Sequence, residues 1–494
     1  METKFTASTH NGYRNWGWWI ILIAAAVSLG GYLFSSFSTY SLGFPLDDAW
    51  IHQTYARSLA NGLGWVYAQG EPTGGSTSPL WTVILSAGYR LDLPYLVWTF
   101  LVEWVLLAAI GIIADLILRK ISSYSPYLPY FGIGLVFEWH LVWASGSGME
   151  ILLVAGVILA LLFLPREKPL GWFITGLLLG VSIWIRPDML TLAGPIGLLW
   201  LFQRADIRSK FNYAGSFLIG FVIIALPYFY WIHTLTGTYW PNTLYAKQTE
   251  YSILVNTSLV ARFVAEIKQA NLGAGLILLP GFLAGMLFSP KNKQWNILWA
   301  GIWWLGFALL YAVQLPVTYQ YGRYMMPAMP IYFLIGMWGW MEIIKRLKEK
   351  PQKLLRFGFI ILILPVLIGF YFIGARSYAN DVAVIQTNMV EPSIWISENT
   401  QPDDLIAAHD IGAVGFFSQR DIVDLAGLVT PQVIPFIRDE EQLAEYLTEC
   451  GVDYLMTFPD WYSTLGRGKP VVFEASGEYT FPSGQLPMTI YQWQ

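Results

Sequence analysis

The chain has 494 residues, 55% of them hydrophobic and only 13% charged, with 24 Trp, 28 Tyr and 29 Phe. This is too apolar for an ordinary soluble domain and describes a multispanning membrane protein. A formal net charge of −4 offers no basic surplus, and no nucleic-acid partner is expected.

A spanning helix needs about 20 mostly apolar residues. The first candidate, 16–37, holds no charge and is too long and Trp-rich for a cleaved signal peptide. Further runs follow at 95–118, 126–144, 149–164, 170–185, 189–202, 213–233, 272–288, 295–315, 324–341 and 357–374, which makes eleven predicted spans. Starting inside, the short cytoplasmic connections hold 17 of the 29 Lys and Arg, from Lys4 and Arg14 to the run between Lys345 and Arg356. The expectation is a plasma (inner) membrane protein with a cytoplasmic N-terminus. The first loop, 38–94, and the terminal region, 376–494, then both lie on the external or periplasmic face. Residues 1–375 form the membrane domain.

The first loop carries F-P-L-D-D-A-W-I-H-Q-T-Y-A-R-S-L-A-N-G, where Asp47 and Asp48 open an amphipathic helix just past a membrane span. Its Trp50 and Tyr55 suit the headgroup layer. The segment G-E-P-T-G-G-S-T-S-P supplies a flexible turn before a second short helix at 79–89. An ionised Asp at this boundary can take a proton from an attacking hydroxyl, a contribution of roughly 10² to 10⁴ in rate. Helix capping explains either aspartate alone but does not by itself explain two.

Glu103, Asp115, Glu138 and His140 fall in or near apolar runs, where a charge costs about 2.5–3.5 kcal/mol, so they are expected to face inward or be neutralised. Glu138 and His140 are close enough in sequence to pair within the bundle. No long internal repeat is visible.

From Arg376 onward the character changes, with 17 Asp and Glu against five Lys and Arg and no long apolar run. Short apolar stretches such as L-I-A-A-H-D, D-I-V-D-L and V-D-Y-L-M-T-F alternate with the helical E-E-Q-L-A-E-Y-L-T-E-C, predicting a soluble α/β layer structure. V-V-F-E and M-T-I-Y-Q-W are read as a hairpin. Cys450 is the single cysteine, so no intrachain disulfide forms, and no Cys/His cluster suggests zinc. In H-D-I-G, at 409–412, a strand gives way to a helix, and Asp410 reads first as its cap.

The motifs D-D-A (47–49), S-G-M-E (147–150), R-P-D (186–188), P-N-T-L-Y-A-K (241–247) and G-R-Y-M-M-P (322–327), in that order, give the chain its likeness. It resembles the GT-C superfamily of polyprenyl-phosphate-dependent glycosyltransferases, nearest to the bacterial arabinofuranosyltransferase-like branch. More distantly it resembles protein mannosyltransferases and lipid A aminoarabinose transferases, which usually carry Asp-Glu where this chain has Asp-Asp. The resemblance implies an inverting transfer from a polyprenyl-phosphate sugar to a cell-envelope glycan, lipid or protein. A first-loop Asp would be the general base, with Asp47 slightly preferred over Asp48 by motif position. The departing lipid phosphate needs cations at the external surface. Arg323 and Lys247 are the first candidates and Arg186 the third, with membrane snorkelling as the alternative role of each. Tyr324, Tyr245 and Asn242 are expected to orient phosphate or sugar, and His52 to tune Asp48 or bind acceptor. A glycine-rich turn brings Glu150 near, and His409 and Asp410 are assigned to the acceptor side. A divalent ion would use Asp47, Asp48 and a further carboxylate or His, though nothing requires one. Two other classes share this architecture: a transporter or flippase of glycolipid, and a non-catalytic glycan-binding subunit. A transporter would place its site near the midplane on broken helices.

Overall fold

A computed structural model of the chain describes residues 14–67, 72–122, 127–480 and 484–494. Lys4, residues 70–71 of the first-loop turn and the first residue of the predicted 126–144 span lie outside the described residues.

The helices begin with α1 (Arg14–Thr39), α2 (Asp48–Ala60), α3 (Pro79–Arg90), α4 (Tyr95–Ser122), α5 (Tyr130–Val136), α6 (Trp139–Ser145) and α7 (Ile151–Phe163). They continue with α8 (Pro169–Ile185), α9 (Ala193–Phe202), α10 (Ile207–Thr236), α11 (Asn242–Glu250), α12 (Leu259–Ala270), α13 (Ala274–Phe288) and α14 (Trp295–Gln314). After the short turn α15 (Tyr319–Gly322) come α16 (Met329–Lys345), α17 (Glu349–Ile385), α18 (Glu391–Asn399) and α19 (Glu440–Glu449). Among the described residues, five helices are long and apolar enough to cross a membrane alone, or six if α12 and α13, bent by 109°, form one span. Fewer elements than the eleven predicted runs therefore reach spanning length by themselves.

Three predicted runs are broken, the 324–341 run dividing into a 3₁₀ turn, Met326–Ala328, and α16. The 126–144 run splits into α5 and α6 because Glu138 turns extended and caps α6, its Oε2 accepting from the amides of His140 (3.1 Å) and Leu141 (3.2 Å). The first turns of α6 gain a charged cap, and the helix cannot pass through it. Its other oxygen lies 2.8 Å from His140 Nδ1, so the expected pairing forms. The 189–202 run divides into a 3₁₀ turn, Pro187–Leu192, and α9. Long helices pack through small residues: a Cβ on Gly176 of α8 would lie 2.1 Å from the Phe217 carbonyl of α10, so only glycine permits that approach.

The reading of α2 as a helix lying in the headgroup layer is corrected. Every residue from Ala49 to Ala56 is buried, so no face is left for lipid. Trp50 packs on Phe416 and Phe417, with ring centroids 5.1 and 4.8 Å away, and Arg57 Nη1 donates to the Phe416 carbonyl at 2.9 Å. The terminal region covers this helix.

That region carries strands β1 (Leu405–Ala408), β2 (Asp421–Asp424), β3 (Tyr454–Thr457), β4 (Val471–Glu474) and β5 (Thr489–Gln492) in the order β2-β1-β3-β5-β4. β1 pairs in parallel with β2 and β3, while β5 runs antiparallel to β3 and β4, closing the expected hairpin. Helix α17 runs ten residues past position 375, so the compositional boundary falls inside a continuous helix.

Candidate active site

Asp48 is the first residue of α2. Its Oδ2 lies 2.7 Å from Arg323 Nη1 and 3.6 Å from Lys247 Nζ. The Tyr324 hydroxyl accepts from both cations, at 3.2 Å from Arg323 Nη2 and 3.4 Å from Lys247 Nζ. Arg323 is aimed by a strained turn in which Gln320, Tyr321 and Gly322 have φ of 54°, 60° and 68°. Two consecutive non-glycine residues in the left-handed region cost energy that the surrounding packing must supply. Lys247 comes from α11 in the loop after α10. Burial works against ionisation of Asp48, but Lys247, Arg323 and His52 outweigh it and hold the carboxyl well below its ordinary 3.8.

A second chain of polar groups runs behind this cluster. Nδ1 of His52 is 3.1 Å from Ser76 Oγ and 3.4 Å from Thr82 Oγ1, and its Nε2 is 3.6 Å from Glu150 Oε2. Burial lowers the His52 pKa against the pull of Glu150 and Asp48. Glu150 Oε1 is 4.0 Å from Arg186 Nε. Arg186 forks onto Asp188 at 3.2 and 2.8 Å and also donates to Tyr311, whose hydroxyl donates to Asp188 at 2.6 Å. The Tyr311 ring stacks on Tyr324, centroids 5.4 Å apart, which joins this chain to the cation cluster.

Asp47 points elsewhere. Its Oδ2 accepts from the Gly412 amide at 2.6 Å and its Oδ1 from the Ala413 amide at 2.8 Å. The helical turn following H-D-I-G is thus capped from the first loop by Asp47, and the reading of Asp410 as its cap is corrected. A Cβ on Gly412 would lie 1.9 Å from the Asp47 carbonyl oxygen, so the contact requires glycine. Tyr67 donates to the adjoining Ile411 carbonyl. Burial, then the charge of Asp410, push the Asp47 carboxyl upward against the pull of the two amides.

His409 connects the same loop to α11. Its Nδ1 is 2.7 Å from the Tyr462 hydroxyl and its Nε2 is 3.3 Å from Glu250 Oε1. Burial disfavours the charged ring, but Tyr462 and Glu250 prevail and raise its pKa well above 6.5.

Of the residues singled out from the sequence, Asp48, Arg323, Lys247 and Tyr324 meet in one cluster. His52, Glu150 and Arg186 form the chain behind it, and Asp47, His409 and Asp410 gather at the contact with the terminal region. Asn242 opens α11 beside Gly74 of the first loop. Tyr245 stays 40% exposed, with its carbonyl accepting from Thr249. Glu250, Tyr311 and Tyr462 were not singled out. The signal for Glu250 was its place three residues after Lys247 on one helix face.

A divalent ion does not fit these groups. Asp47 spends both oxygens on backbone amides and Asp48 faces two cations. Among the described residues no three His, Cys, Asp or Glu side chains converge as a metal site.

Residues 374–491 match a domain of unknown function, DUF8728. No curated protein matches the chain. Two solved structures are similar over most of its length. ArnT from Cupriavidus metallidurans, bound to undecaprenyl phosphate, superposes with a TM-score of 0.58 at 13% identity, covering 97% of this chain and 98% of that one. The oligosaccharyltransferase of Archaeoglobus fulgidus, in its apo form, gives a TM-score of 0.63 at 13% identity, covering 91% of this chain and 70% of that one. The chain shares the overall fold of these two proteins.

Proposed function

We propose that this chain is an integral-membrane inverting glycosyltransferase that moves a sugar from a polyprenyl-phosphate donor to a cell-envelope glycan, lipid or protein acceptor. Its site and the 376–494 domain would lie on the external face of the plasma (inner) membrane, with the N-terminus cytoplasmic. The observation that carries the reading is the Asp48 carboxylate held against Arg323 and Lys247, with Tyr324 between the cations.

Without substrate, Asp48 is the counter-ion of a cation pair and too weak a base to act. An arriving lipid phosphate competes for the same two cations, with Arg323 suited to grip two of its oxygens. Asp48 is then released from its pairing, and its basicity rises. The acceptor hydroxyl attacks the anomeric carbon, its proton passes to Asp48, and the bond from that carbon to the phosphate oxygen breaks. The electron pair leaves on the lipid phosphate, where Arg323, Lys247 and the Tyr324 hydroxyl stabilise it. Attack opposite the leaving group inverts the centre. In this reading Asp47 is a positioning residue that holds the terminal domain over the site. Geometry thus favours Asp48 as base over the Asp47 suggested by motif position. The likeness of fold to ArnT, a structure solved with undecaprenyl phosphate, supports a lipid-phosphate donor.

The test is transfer by purified protein from synthetic polyprenyl-phosphate sugars, comparing wild type with Asp48→Asn and Asp47→Asn. Loss of transfer in folded Asp48→Asn is expected. Full activity there would overturn the mechanism, and lipid flux across vesicles without transfer would favour a flippase.

A further inference from the structure

A second site lies at the opposite end of the bundle. Helix α4 begins beside the active-site loop, where Gln53 of α2 donates to Thr99 at 2.9 Å, and ends at Lys120 and beyond. Helix α7 starts after Glu150 and leads away toward Arg166, α8 returns from Pro169 to Arg186, and α14 rises from Trp295 to Tyr311. The 17 residues of α8 span about 25 Å, close to a bilayer's hydrocarbon thickness. At these far ends is a cavity of about 260 Å³ lined by Lys120, Arg166, Trp172, Gln203 and Trp299, among others.

Its lining holds polar atoms with nothing to bind. Arg166 is only 8% exposed, yet no carboxylate lies within ion-pair distance of it among the described residues. Its Nε donates to Thr175 at 3.1 Å and its guanidinium lies 5.8 Å from the Trp172 ring, while Nη2 has no partner. Gln203 spends its amide nitrogen on the Arg166 carbonyl at 2.7 Å, which leaves Oε1 without a donor. The indole N–H groups of Trp172 and Trp299 are also unpaired. Burying an unpaired charge or hydrogen-bonding group is costly, and the four residues that carry these atoms all line this one cavity.

The lining also states the ligand's chemistry. A buried guanidinium, with exposed Lys120 nearby, calls for an anion with oxygens matched to the fork, as in a phosphate. Gln203 Oε1 calls for an N–H or O–H donor on the same molecule. Trp172 and Trp299 give the cavity the aromatic walls that occur at membrane–water interfaces. Basic pockets between helix ends are a recurrent form of lipid head-group site. We propose that this cavity binds the head group of a membrane phospholipid. Its phosphate sits on Arg166, and a head-group N–H or O–H, as in phosphatidylethanolamine or phosphatidylglycerol, donates to Gln203. The site is independent of the transfer chemistry.

Native mass spectrometry of the purified full chain, titrated with short-chain phospholipids, tests this. Wild type should retain one phosphatidylethanolamine or phosphatidylglycerol at about tenfold lower concentration than phosphatidylcholine, whose head group has no donor. Arg166→Gln should lose about tenfold in that retention, the loss of one charge-assisted hydrogen bond. Equal retention of all three lipids by wild type overturns the proposal without reliance on any variant. So does unchanged retention in an Arg166→Gln protein with wild-type melting behaviour. Displacement of the lipid by millimolar inorganic phosphate would assign the cavity to free phosphate instead and overturn the lipid assignment.

Discussion

Arg323 Nη1 lies 2.7 Å from Asp48 Oδ2, across 275 residues of sequence, and makes a carboxylate and a candidate phosphate ligand compete for one another. If lipid phosphate displaces Asp48 from this pair, Asp48→Asn should act in two directions at once. Transfer should fall by roughly 10² to 10⁴, while polyprenyl phosphate itself should bind about tenfold more tightly, since the cations no longer have an internal partner. Binding of the lipid phosphate by titration, alongside turnover, checks both; weaker binding in the variant would contradict the competition.

Arg323→Gln and Lys247→Gln remove donors aimed at developing phosphate charge. Each should lower turnover by about 10² to 10³. The double variant should lose less than the product of the two, because both act on the same Asp48 and Tyr324 oxygens. A double-mutant cycle on turnover gives the coupling directly, and strict additivity would mean that the two cations serve separate groups.

Asp47→Asn keeps the side chain's size but leaves one oxygen for two amides. One of the two amide bonds is lost and leaves a buried donor unpaired, at about 1–3 kcal/mol, at the junction with the terminal domain. Gly412→Ala attacks the same junction sterically, since its Cβ would sit 1.9 Å from the Asp47 carbonyl. Both variants should speed limited proteolysis around 400–415 by a similar factor. A large effect in one and none in the other would break the link.

His409 makes this junction sensitive to pH. Its folded pKa lies above 6.5, because Tyr462 and Glu250 outweigh burial. The stability it contributes is therefore complete below pH 6.5 and lost as pH rises through the higher folded value. Hydrogen exchange at the α11 amides should increase on the alkaline side in wild type. In His409→Gln it should be raised at every pH, with that dependence flattened.

Much of the site could be read from short motifs. Asp48, Arg186, Lys247 and Arg323 were visible because charge is rare in so apolar a chain, Arg186 and Arg323 standing at the edge of an apolar run and Asp48 and Lys247 in the loops that follow one. The role of Asp47 was not visible. Its partners are backbone amides 365 and 366 residues away, and an amide carries no mark in the residue that bears it. Glu138 shows another limit: a run apolar enough to span was interrupted by local capping, which hydropathy summed over a window does not register. The burial of α2 on every side likewise depended on Phe416 and Phe417, which belong to a different layer of the fold.

Lys247 and Glu250 stand three residues apart on α11, one held to Asp48 and the other to His409. A single helical turn is too stiff to absorb a shift between its two ends. If the terminal domain lifts, either the His409 contact breaks or Lys247 is drawn off Asp48 with it. The space above the aspartate and the charge within it are thereby geared together, so a molecule large enough to raise the domain also alters the electrostatics that await the donor.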